Sequence, residues 1–163
     1  MDGKRPPSAS WSGAICLLLC ALWMSSLAQA ETPPRGTLTI PSKHSFDVLV
    51  SRVEKAVADH KMGLVAQASA SRGAVARGIK IPGNAVLMVF HNDFAVRMLK
   101  ASVPAGIEAP LRIYVTENPD GSASLTYREP SAVFAPYGSP ALDEIAKELD
   151  AVFRNIVRDA AGG

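Results

Sequence analysis

Cysteine is scarce in this chain, and it is missing where a fold would use it. The two cysteines, Cys16 and Cys20, both fall within the first thirty of 163 residues. From Glu31 onward the chain must hold together without disulfides, and a thiol nucleophile or a cysteine-ligated metal is excluded there as well. Charge is balanced: the formal net value is +2, and charged residues make up 20% of the chain. The basic residues are scattered, so there is no electrostatic basis for holding nucleic acid. Catalytic signatures are missing too. There is no G-x-S-x-G, no S-x-x-K, no Walker or G-x-G-x-x-G pattern and no H-x-x-x-H pair.

What is present begins with a leader. "MDGKRPPSASWSG" carries Lys4 and Arg5, "AICLLLCALWMSSLA" is apolar, and small residues follow at Ala28 and Ala30. A basic start, a short apolar core and an A-x-A site predict a secretory signal peptide over residues 1–30, cut before Glu31. The run is shorter than the roughly 20 residues of a membrane span. A retained anchor is opposed by the A-x-A site, and lipidation at Cys20 by the bulky Leu19 before it. Absence of cysteine after export fits a bacterial periplasmic protein, free of the membrane once cleaved. Removing Asp2, Lys4 and Arg5 lowers the net charge to +1, on the 133 residues from Glu31. Residues 31–37 read as a tether and 38–160 as one domain.

Periodicity then sets out the elements. "GTLTIPS" reads as an edge strand ended by Pro41. "HSFDVLVSRVEKAVADHKMG" places Phe46, Leu49, Val50, Val53 and Val57 at helical spacing, with Ser45 as cap and Gly63 as a left-handed stop. "LVAQASAS" reads as a strand, and "SRGAVARGI" as a short helix closed by Gly78. "NAVLMVFHN" is apolar without alternation, which predicts a strand buried on both faces or central in its sheet. "PLRIYVTENPDGSASLTYREP" is a hairpin around Asn118-Pro119-Asp120-Gly121. A bulge at Gly121 sets Val115 against Leu125 and Ile113 against Tyr127, keeping one face apolar. Finally, Ser139 and Pro140 open a long amphipathic helix striped by Leu142, Ile145, Leu149, Val152, Ile156 and Val157. The fold class expected is α+β: a two-layer sandwich with a mostly antiparallel sheet of about five strands and helices on one face.

The order of these signals resembles the domain of unknown function 302 family over residues 38–157. "SKHSFDVLVSRVEKAVADHKMGL" looks like its opening segment, and Phe90 and Asn92 of "FHND" match its usual Phe-Gly-Asn-Pro. Pro110, Leu111, Gly121, Tyr127 and Pro130 stand where its hairpin has them. His91 and Asp93 depart from that pattern. The resemblance implies a compact two-layer α+β fold and no established reaction.

Two places hold candidate functional residues. His91-Asn92-Asp93 ends the apolar strand, where Asn92 or Asp93 is expected to cap a helix over "FAVRMLKAS". A catalytic alternative makes His91 a general base with Asn92 orienting, but consecutive side chains on an extended chain point to opposite faces. The second place is the polar face of the hairpin, where Arg112 opposes Arg128 and Tyr114 opposes Thr126. Like charges across strands call for something negative between them, from Glu108, Glu129, an anionic ligand or a partner. Arg112, Tyr114, Thr126 and Arg128 are therefore the expected binding surface for an anionic small molecule or a protein, with burial against a second copy as a further alternative. No metal site is expected from His44, His60 and His91, and no cofactor. His60 reads as a half-buried packing residue.

Overall fold

A computed structural model describes residues 32–162, together with Gly3. Among the described residues five strands and five α-helices follow in the order β1 (Thr37–Ser42), α1 (Phe46–Asp59), β2 (Gly63–Ala68), α2 (Ala70–Val75), β3 (Asn84–Phe90), α3 (Asn92–Ala101), β4 (Leu111–Glu117), β5 (Ala123–Arg128), α4 (Pro130–Phe134) and α5 (Pro140–Ala161), with 3₁₀ turns at Pro104–Glu108 and Ala135–Tyr137. The leader expected over residues 1–30, Gly3 apart, lies outside the described residues.

Each amphipathic stretch forms its helix with the expected face inward. In α1 the side chains of Phe46, Leu49, Val50, Val53 and Val57 are buried. In α5 Leu142, Ile145, Leu149, Ile156 and Val157 of the stripe are buried, but Val152 is only half-buried and Phe153 beside it enters the core instead. The Ser139 hydroxyl accepts the Leu142 N–H at 3.4 Å with Pro140 in the first turn. The ends of α1 differ from expectation. Ser45 stands at its start, but the hydroxyl does not cap; its carbonyl accepts from Leu49 instead. At the other end the left-handed residue is Lys61, at φ 57°, and Gly63 opens β2. The turn comes two residues early because Met62 must enter the core, where it is 8% exposed, its N–H bonded to the Val57 carbonyl at 2.9 Å.

The strands form one antiparallel sheet in the order β1-β5-β4-β3-β2. The hairpin has the bulged register: Val115 faces Leu125, Ile113 faces Tyr127, and Gly121 takes φ 83°. Pro41 does not end β1 but pairs within it, opposite Ser124. The Glu129 N–H bonds the Gly36 carbonyl at 2.9 Å, and the two-residue alternation from there turns Thr37, Thr39 and Pro41 outward. A proline at such an edge position removes no ladder bond. Gly36 itself is required: φ is 77°, and a Cβ there would stand 2.1 Å from that of Ala132 in α4.

The helices cover one face. Ala85, Leu87, Val89, Leu111, Ile113, Val115, Ala123, Leu125 and Tyr127 are buried with α1 and α5 in one core. The strand β3 lies inside the sheet, one of the two expected placements, but it is not buried on both faces. It is paired along both edges, but exposure alternates: Val86, Met88 and Phe90, on the face away from the helices, are only half-buried. Its unbroken apolar run arises because the uncovered side of this strand is apolar as well.

Candidate functional site

The uncovered face is where the sheet presents its chemistry. Antiparallel partners point to one side, so the register sets Met88, Arg112, Arg128 and Thr37 in one row across the sheet, and Val86, Tyr114, Thr126 and Thr39 in the next. The four residues singled out from the sequence thus stand together. Thr126 and Thr39 share a hydroxyl hydrogen bond at 2.9 Å, which pins β1 to β5 beneath them.

A cavity of about 250 Å³ opens here, and Arg112, Tyr114, Thr126, Arg128, Val86 and Glu108 are among its lining. The two arginines are held differently. Arg128 is half-buried and donates from Nη2 to the Ala132 carbonyl at 3.2 Å, tying β5 to α4, while its Nε is buried with no hydrogen-bond partner. Arg112 is exposed, and its side chain makes no hydrogen bond or ion pair among the described residues. Glu108 reaches the cavity, but its Oε1 accepts from the Tyr137 hydroxyl at 3.0 Å. Burial, and then that hydrogen bond to Glu108, push the Tyr137 phenol up from its ordinary value. The site thus offers two guanidiniums against one engaged carboxylate. A buried guanidinium N–H without an acceptor is costly, which favours an anion able to accept from it.

The other candidate is a joint between elements. His91 itself is the residue that caps α3, correcting the expectation for Asn92 or Asp93: its Nδ1 accepts the Asp93 N–H at 3.2 Å. Asn92 and Asp93 are exposed in the first turn. The chain is still extended at His91, φ −145° and ψ 129°, so the cap position falls one residue earlier than the Asn-Asp pair suggested. Imidazole nitrogen can play the acceptor role usually taken by a side-chain oxygen. The ring also meets Phe94 edge-on, with centroids 5.8 Å apart. The small cavity beside it, about 30 Å³, has apolar neighbours such as Phe90, Phe94, Met98 and Leu111, and His91 is its one titratable lining group. His91 Nδ1 is engaged by the Asp93 N–H, and no side-chain hydrogen bond joins His91 to Asn92 among the described residues.

His60 is half-buried as expected, with Nε2 2.8 Å from Asp159 Oδ2. Among the described residues no three His, Cys, Asp or Glu side chains converge in a group suited to a metal. Sequence reading missed Asp150, buried inside the α5 stripe, whose Oδ1 accepts the Ser131 N–H at 2.9 Å and caps α4. A carboxylate at the edge of an apolar stripe was its only signal. Arg52 was missed as well: it donates to the Ala160 and Asp159 carbonyls at 2.6 and 2.7 Å and closes the C-terminal end of α5.

An antiparallel five-stranded sheet, with helices on one face and a cationic, partly apolar surface on the other, defines a two-layer α+β domain. The model of the family described as "Domain of unknown function DUF302" matches residues 38–160, and the chain belongs to that family. Its fold is similar to that in a crystal structure of an uncharacterized conserved DUF302 protein from Bacillus stearothermophilus, with a TM-score of 0.69 and 19% sequence identity, covering 78% of this chain and 98% of that one. Among curated proteins, none matches this chain.

Proposed function

We propose that this is an exported, periplasmic binding domain that acts without a catalytic step, and that its ligand or protein partner places an anionic group between Arg112 and Arg128. The observation that carries the reading is the pairing of Arg128, whose Nε is buried and unpartnered, with an Arg112 that no acidic side chain of the described residues engages. Tyr114, 39% exposed, offers a flat contact beside them, and Thr126 a hydroxyl. Tyrosine and arginine together are the residue types enriched at recognition surfaces. Export rests on the basic leader, the apolar core and the A-x-A site before Glu31.

The experiment is native mass spectrometry of the protein recovered from the periplasm of its own cells, beside an Arg112→Ala variant expressed the same way. An anionic species retained by the wild-type chain and lost from the variant supports the reading, as does a mature N-terminus at Glu31. Equal retention by both, or a chain that still begins with its leader, contradicts it. A second reading, self-association through this face, is favoured by the apolar strip of Val86, Met88 and Phe90. Symmetric stacking would, however, set the arginines of two copies against one another.

A further inference from the structure

The far edge of the sheet carries a second surface, away from the Arg112 face. As the edge strand, β1 turns Leu38 and Ile40 toward the helix layer, opposite Tyr127 and Leu125, yet the layer does not close over them. Leu38 remains 38% exposed and Ile40 is half-buried. Between β1 and the last turns of α5 lies a groove of about 970 Å³, at the upper end of the ~300–1,000 Å³ typical of small-molecule sites. Leu38, Ile40, Tyr127 and Val157 supply apolar lining; Lys43, His44, Arg154 and Arg158 also line it, and among the described residues no carboxylate does. Tyr127 and Val157 are buried whereas Lys43, Arg154 and Arg158 are exposed, so apolar surface lies deep and positive charge at the mouth.

We propose that this groove binds a free anionic single-chain amphiphile of the fatty-acid class, with the hydrocarbon along Leu38 and Ile40 and the carboxylate among the basic side chains. Charge complementarity selects the head group. Lys43 has no ion pair among the described residues, and the nearest carboxylate oxygen to Arg154 is that of Glu129 at 3.9 Å. Arg158 is already engaged by Asp159 at 3.2 Å and contributes less. Other occupants fit worse. A peptide strand adding to β1 would need outward N–H groups, but that of Thr37 is bonded to the Pro34 carbonyl and Pro41 has none, which leaves Thr39. A second copy docked by symmetry would bring two basic rims together.

The test is calorimetric titration of the mature chain with monomeric oleate, beside oleyl alcohol, which has the same chain and no charge. One oleate per chain is expected, with the alcohol bound at least about tenfold more weakly, the scale of one charge-assisted contact. A Lys43→Glu, Arg154→Glu double variant and a Leu38→Asn variant, all at exposed positions, should each weaken oleate binding to a similar degree. Sedimentation with phosphatidylglycerol vesicles distinguishes a lipid surface from the free amphiphile, and the chain should stay in the supernatant. Absence of saturable oleate binding, equal affinity for oleate and its alcohol, unchanged affinity in the variants, or pelleting with vesicles would each overturn the proposal. The comparison of oleate with the alcohol needs no variant, so it stands even where a substitution impairs folding.

Discussion

The two faces of the β3-β4-β5 sheet are built from alternate residues of the same strands, yet they serve different ends. Leu87, Ile113 and Leu125 point to the helices and are fully buried, while their neighbours Met88, Arg112 and Thr126 point away and are half-buried or exposed. The covered face carries Ala85, Leu87, Val89, Leu111, Ile113, Val115, Ala123, Leu125 and Tyr127, all buried in one core. The uncovered face mixes an apolar strip on β3 with two guanidiniums on β4 and β5, one carrying a buried N–H without a partner. Buried apolar surface is concentrated on the first face, and the guanidinium N–H without a partner lies on the second. That division is what mutation can break.

The largest effect belongs to the covered face. Ile113→Ala should destabilise the domain by about 2–5 kcal/mol, since the cavity it leaves is enclosed by packed side chains. Chemical denaturation measures it, and Met88→Ala, one row away on the open face, should cost clearly less. Equal losses would mean that the open face is packed as a second core. Where β3 passes into α3, His91→Ala should cost about 0.5–2 kcal/mol through the lost cap. Asn92→Ala and Asp93→Ala should cost less, and the same denaturation series ranks all three. On the open face the arginines should separate. Arg128→Ala removes a tie to α4, a net loss of about 0.5–1.5 kcal/mol that is offset by deleting an orphaned donor. Arg112→Ala should leave the melting temperature unchanged or slightly higher, by relief of a cross-strand repulsion of about 0.2–1 kcal/mol.

The smallest effect is electrostatic. Glu148 accepts both forks of Arg97, at 2.6 and 2.8 Å, and those hydrogen bonds hold its carboxyl below the ordinary value. A depressed carboxyl stabilises the fold above its unfolded pKa, and the contribution is lost as pH falls through the folded one. Both side chains are exposed, so the effect is screened. Glu148→Gln should make the fall in melting temperature on the acid side slightly shallower than in the parent protein.

Much of the fold could be read from the chain because periodicity reports burial directly. The stripes of α1 and α5 and the apolar face of the hairpin needed only spacing, and the Gly121 bulge followed from keeping Val115 opposite Leu125. What misled were local signals that tertiary packing overrode. Gly63 offered a natural stop for α1, but burying Met62 moved the turn to Lys61. Asn92 and Asp93 looked like caps by residue type, whereas the chain is still extended at His91, whose ring nitrogen faces the first free amides. For the candidate site, hairpin register alone was enough to bring Arg112, Tyr114, Thr126 and Arg128 onto one face. The unpartnered Arg128 Nε and the engagement of Glu108 by Tyr137 could not be read this way, because both depend on where α4 and the turns beside it fold back.

The claim that the open face is an anion-binding surface is tested most directly at the arginine side chains themselves. Nitrogen-15 labelled protein can be titrated with citrate while the Arg Nε–H resonances are followed. Saturable shifts at Arg112 and Arg128, largest at Arg128 because its Nε gains an acceptor, with Arg35 and Arg77 unmoved, are the predicted result. Resonances of Arg112 and Arg128 that stay fixed, or that drift no more than those of Arg35 and Arg77, would contradict it.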